Sequence, residues 1–174
     1  YKMEAMGNPF ILGMDASPET TRDRKMLQQV IKREDLANIR TYMQQLAIEL
    51  INDSTYMGKV QVVNEYARLA MVRLVAHYFG VPADEQDMMR WQRSIFNEAF
   101  VNLNNDPEIH AKGMIASKEV AAWISGLIKE RKTHADDLED NVLNRLIKSQ
   151  KDNEWLDDKA VLRNILCILG VVEN

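Results

Sequence analysis

The sequence predicts an all-α fold, an irregular multi-helix array within one domain. Three observations carry this. Long stretches repeat their apolar residues at helical spacing. The seven glycines and four prolines fall between those stretches and so read as punctuation. No strand alternation or hairpin turn competes with the helical pattern. With 174 residues, 46% of them hydrophobic, the chain is long enough for one core and too short for a second full domain.

The elements run in order along the chain. Residues 1–15 place Gly7, Pro9 and Gly13 around Phe10, Ile11 and Leu12, a loop that carries apolar side chains. Ser17-Pro18-Glu19 then supplies an N-cap, a first-position proline and an acid in the first turn, starting a helix to about Lys32 with Met26, Leu27, Val30 and Ile31 as its apolar stripe. Asp35 is the expected cap of a second helix, in which Ile39, Met43, Leu46 and Leu50 recur to about Asn52. The third, from Val60 to Phe79, is apolar around most of its circumference and reads as a central buried helix, ended by Gly80-Val81-Pro82. A fourth runs from about Ala83 to Phe100. Asp106-Pro107-Glu108 opens a fifth, to about Lys132, with Gly113, Ala116, Val120, Ile124 and Leu127 along one side. Asp136 with Glu139 suggests a capping-box start to a sixth that ends near Ser149, and Asp157 caps the last.

Several chemistries are disfavoured. A net charge of -4 argues against nucleic-acid binding. The longest apolar run, Ile165 to Val172, falls far short of the ~20 residues of a membrane span. One cysteine, Cys167, makes no disulfide framework, fits a reducing, cytoplasmic setting, and reads as a small core hydrophobe. His77, His110 and His134 lack metal-ligand spacing, and no GxSxG elbow or glycine-rich phosphate loop is present. The chain opens on Tyr1 and stops within an apolar helical pattern, so it reads as part of a longer protein.

Three segments, in one order and at plausible separations, resemble the cytochrome P450 family. DASPETTRDRKML is similar to the family's DPPEHTRLRRLV segment at the start of its C helix. NEYARLAMVRLVAHYFGVP resembles the E helix with its terminal GVP. DDLEDNVLNRLIKSQ, with EWLDDKAVLRNILCILGVVEN after it, resembles the run into the first half of the I helix. The resemblance implies that residues 1–174 are a single helical region, the B–C loop to early I helix of a haem-thiolate domain. The N-terminal part and the cysteine that ligates the iron of haem b would lie outside it. Cys167 lacks the surrounding FxxGxxxC loop and is not that cysteine.

Residue by residue, the resemblance implies a haem-propionate role for Arg24, whose fork-shaped, permanently charged guanidinium suits a carboxylate. Thr20 stands where many members have a second propionate ligand, histidine. In the I helix, where the family reads [AG]-G-x-[DE]-T, this chain has Gly170-Val171-Val172-Glu173-Asn174. Gly170 and Glu173 match, Val171 is bulkier than the usual glycine, and Asn174 replaces the threonine that relays protons. Phe10 and Leu12, Phe96 and Phe100, and Leu166 and Leu169 would line a distal substrate pocket.

The implied activity is monooxygenation of a small apolar substrate, such as a fatty acid or terpenoid, with electrons from a ferredoxin or reductase. Asn174 raises a second reading, a P450-like fatty-acid hydroperoxide isomerase or peroxygenase, because an amide orients oxygen but shuttles protons poorly. A non-catalytic helical interaction domain is the reading of a different class.

Overall fold

The computed structural model describes residues 16–55, 58–134 and 138–172, the side chains of 54, 55 and 170–172 excepted. Among the described residues seven helices succeed one another: α1 Pro18–Val30, α2 Leu36–Thr55, α3 over residues 62–79, α4 over 85–101, α5 Pro107–Lys132, α6 Val142–Ser149 and α7 Asp158–Val172. No strand occurs among the described residues. Two helices are not regular throughout. In α3 an α-helical middle, Arg68–Leu74, lies between wide π-type turns at Val62–Ala67 and Val75–Phe79, and α4 closes with another at Asn97–Val101.

The starts obey capping chemistry. Ser17 accepts from the Thr20 N–H, Asp84 from those of Gln86 and Asp87, Asp106 from those of Glu108 and Ile109, and Asp157 from that of Ala160. Two expected starts differ. Asp35 ends a short 3₁₀ turn, Arg33–Asp35, and its carboxylate turns away from α2 to Arg145 and the Tyr78 hydroxyl, because a guanidinium outcompetes a helix amide. The sixth helix begins at Val142, capped by Asn141, whose side chain accepts from the Asn144 N–H at 3.0 Å. Glu139 lies before that cap, and Asp136 lies outside the described residues.

Helix α7 runs through the main core. Val161, Ile165 and Cys167 have no exposed surface and Leu166 and Leu169 are almost fully buried, packed with α4, α5 and α6. Each such side chain contributes about 1.5–3 kcal/mol by leaving water. The apolar side of α5 is buried here as well, through Ala116, Val120, Ile124 and Leu127. Helix α3 is less central than its composition suggests. Its first half is peripheral, with Val62 and Val63 exposed, and Ala70 joins Leu46 and Leu50 of α2 in a separate small cluster; Val72, Val75 and Phe79 reach the main core and Tyr78 packs against it.

Gly80 closes α3 with φ +71°, and a Cβ there would lie 2.2 Å from Asn141 Oδ1. The left-handed backbone and the loss of the α6 cap both oppose a side chain. We expect Gly80→Ala to cost roughly 2–3 kcal/mol, read by urea denaturation.

Candidate functional site

The residues implicated by sequence lie on α1, α4 and α7. On α1 the first turn is set by Ser17 and Pro18, which fixes the helical phase of the residues after it. Thr20 is buried, its hydroxyl 3.1 Å from Ser17 Oγ. Arg24, four residues on, is exposed. Between them Asp23, only 1% exposed, points inward and joins α1 to α7: its Oδ2 accepts from Arg163 Nη2 at 2.6 Å and its Oδ1 from Arg22 Nε at 3.0 Å. The Arg22 guanidinium also lies 4.0 Å over the Trp155 ring.

This arrangement bears on whether α1 can hold an anionic group. Asp23 is the carboxylate nearest Arg24 in sequence, and Arg163 and Arg22 neutralise it. Arg24 follows Asp23 on the exposed side of α1, with the buried Thr20 one turn before it. A guanidinium and a hydroxyl at this spacing are the donor set that a carboxylate takes. By the resemblance these are the residues that would hold the propionates of a haem.

On α4, Phe96 is half-buried and Phe100 is 41% exposed, the two rings 5.0 Å apart and tilted by 40°. Phe96 ends the regular part of the helix and Phe100 lies in the wide closing turn. That turn also contains Glu98, a carboxylate 2% exposed, whose Oε1 is 2.9 Å from His110 Nδ1 and whose Oε2 accepts from Asn102 Nδ2 at 2.7 Å. On α7, Leu166 and Leu169 sit in the main core, within about one turn before Gly170. The backbone of Gly170 and Val171 is helical. Phe10, Leu12, Glu173 and Asn174 lie outside the described residues; among the others the structure pairs Phe96 with Phe100 and buries Leu166 and Leu169 in the main core, while Thr20 and Arg24 lie on α1.

The histidines are otherwise engaged: His77 stacks on Tyr42 at 4.1 Å, and His134 Nδ1 lies 2.8 Å from the Thr133 hydroxyl. Among the described residues no group of three His, Cys, Asp or Glu could hold a metal ion, and no helix is long and apolar enough to cross a membrane.

A second polar centre joins the end of α1, the turn before α2, α3 and α6 at a surface cleft. Arg145 donates to the Val30 carbonyl, to both oxygens of Asp35 and to both of Asp140. Arg145 holds the Asp35 carboxyl down at about 2, and burial, reinforced by Asp35, pushes the Tyr78 hydroxyl up to about 12. These groups are consumed by one another, which marks the centre as a structural staple. Sequence reasoning missed both Asp23–Arg163 and the Glu98 cluster. The available signal for the first was Arg163-Asn164, two polar residues inside the otherwise apolar run from Ala160 to Leu169.

No family model matches the chain. The chain is 28% identical over 171 residues to 6-deoxyerythronolide B hydroxylase from Saccharopolyspora erythraea, covering 95% of this chain and 39% of that protein. It is 22% identical over 154 residues to cytochrome P450(MEG) from Priestia megaterium, covering 88% of this chain and 36% of that one. Among solved structures it is similar to epothilone B-bound cytochrome P450epoK, with a TM-score of 0.76 at 20% identity over 98% of this chain and 42% of the other. It is also similar to the cytochrome P450 enzyme CxnD, for C–S bond formation in chuangxinmycin biosynthesis, with a TM-score of 0.75, 20% identity and coverage of 98% and 40%. The chain thus spans about two fifths of the length of the curated relatives it matches. The all-helical architecture matches these structures along nearly its whole length, and with the sequence relatives the chain is similar to the central helical part of the cytochrome P450 fold.

Proposed function

We propose that the protein containing this chain is a haem-thiolate monooxygenase that oxidises a small apolar substrate with O2 and electrons from a ferredoxin or reductase. The observation that carries this reading is the match to a hydroxylase over 95% of the chain. The haem would supply the oxygen-activating iron, ligated by a cysteine outside residues 1–174.

The residues of this chain divide the work of that reaction. Arg24 binds and neutralises a propionate, and Thr20 adds a weaker, neutral hydrogen bond. The Asp23–Arg163 pair fixes α1 against α7, so that the anion site on one helix keeps its place relative to the other. Phe96 and Phe100, together with Phe10, Leu12, Leu166 and Leu169, exclude water and shape an apolar wall. By the resemblance Gly170 and Val171 would stand beside the cofactor. Glu173 holds and moves protons, and the Asn174 amide orients the oxygen substituent. The relatives named for 6-deoxyerythronolide B and epothilone B extend the candidate substrates beyond fatty acids and terpenoids to compounds of those kinds.

Asn174 is the observation that favours the second reading, a hydroperoxide isomerase or peroxygenase. The two differ in their co-reactants. The full-length protein, supplied with a ferredoxin, its reductase and NAD(P)H, is expected to consume O2 when offered apolar substrates and to be inert toward a fatty-acid hydroperoxide alone. Donor-independent turnover of the hydroperoxide would replace the first reading with the second.

A further inference from the structure

A buried carboxylate is costly unless both oxygens are engaged, and in this chain one sits inside a helix irregularity. Glu98 lies in the π-type turn Asn97–Val101, a geometry that is rare and usually confined to single turns. Its oxygens meet His110 at 2.9 Å and Asn102 at 2.7 Å. The Asn102 amide is itself fully used, accepting from the Asp106 N–H at 2.7 Å and donating to the Asp106 carbonyl at 3.0 Å, and Asp106 is the cap of α5. Gly113 completes the arrangement: a Cβ there would lie 2.5 Å from Glu98 Cβ and 3.2 Å from the Ser94 carbonyl, so α5 approaches the turn only because residue 113 has no side chain. The end of α4 is therefore clamped to the start of α5 around one carboxylate.

That turn begins directly after Phe96 and contains Phe100. We infer that Glu98 is a positioning residue: through His110 and Asn102 it holds the wide turn of α4, and so sets the aim of the Phe96–Phe100 pair and the shape of the apolar wall offered to substrate. This rests on the reading of those two phenylalanines as substrate-facing. Without the carboxylate, His110 and Asn102 lose their shared partner, and the turn is free to tighten toward ordinary α-helical spacing, which rotates Phe100 and Val101 relative to the first half of the helix.

The test uses the full-length, haem-loaded protein and two nitrogen ligands of different size, imidazole and phenylimidazole, titrated by absorption. Glu98→Ala is expected to weaken phenylimidazole about tenfold while imidazole changes less than about twofold. Glu98→Gln, which keeps the size and can still pair with both partners, restores the original ratio. In a double-mutant cycle, Glu98→Ala adds little to Phe96→Ala/Phe100→Ala, because both act through the same wall. Should Glu98→Ala fail to fold, His110→Gln and Asn102→Ala carry the same comparison. An unchanged ligand ratio, or losses that add to those of the phenylalanine variants, would overturn the positioning role. A wild-type protein that binds no haem would overturn the monooxygenase reading itself, and is distinguished by its missing absorbance.

Discussion

Replacing Arg145 with leucine is expected to destabilise the fold by roughly 3–4 kcal/mol, the range for removing one partner of a largely buried ion pair. The side chain is 11% exposed and donates to a carbonyl of α1's last residue, to Asp35 and to Asp140, so one substitution strands groups on three segments. Asp140, 72% exposed, rehydrates at small cost, whereas Asp35, 14% exposed, keeps only the Tyr78 hydroxyl and the Lys32 N–H as partners. The melting temperature of the full-length protein should fall by several degrees. The pH dependence has a definite sign. Asp35 has its carboxyl lowered from 3.8 to about 2, so the pair's contribution is complete above about pH 4 and fades as the pH drops toward 2. Thermal melts of the wild type and Arg145→Leu should therefore converge over that acid window and stand furthest apart near neutrality. A gap independent of pH would mean that Arg145 acts through packing alone.

The second large effect concerns Arg24. In the full-length protein, Arg24→Leu is expected to speed loss of haem to an acceptor such as apomyoglobin by about 10- to 100-fold, the equivalent of one charge-assisted contact of about 1.5–3 kcal/mol. Arg24→Lys should recover part of this, since it keeps the charge and loses the fork. Thr20→Val should cost less, because a neutral hydroxyl already shared with Ser17 has less to give. Arg22→Leu is the control. It breaks the contacts with Asp23 and Trp155, so it should lower the melting temperature while leaving haem retention near that of the wild type. Equal haem loss from Arg22→Leu and Arg24→Leu would remove the special role of Arg24.

Local chemistry explains what the sequence made legible. Ser17-Pro18, Asp106-Pro107 and Asp157 start their helices where expected, since a side-chain oxygen two or three residues before an orphan amide acts within the segment itself. The stripes of α1 and α5 are buried as their spacing predicts. Long-range competition defeated the rest. Asp35 caps nothing on α2 because Arg145, 110 residues away, takes its carboxylate. The apolar girth of α3 suggested a central helix, yet Val62 and Val63 remain exposed because the neighbours there build only a small cluster. At the candidate site the outcome has the same cause. Asp23 and Glu98 look like ordinary surface acids until Arg163 and His110 are brought to them by packing.

The most direct test of the assignment is the absorption spectrum of the full-length protein, reduced under carbon monoxide. A haem-thiolate enzyme gives the strongly red-shifted Soret band of a thiolate-ligated iron, at about one haem per chain, and the Arg24→Leu variant should give the same band at lower occupancy. A full-length protein with no Soret absorbance, or with the band of a histidine-ligated haem, would contradict it.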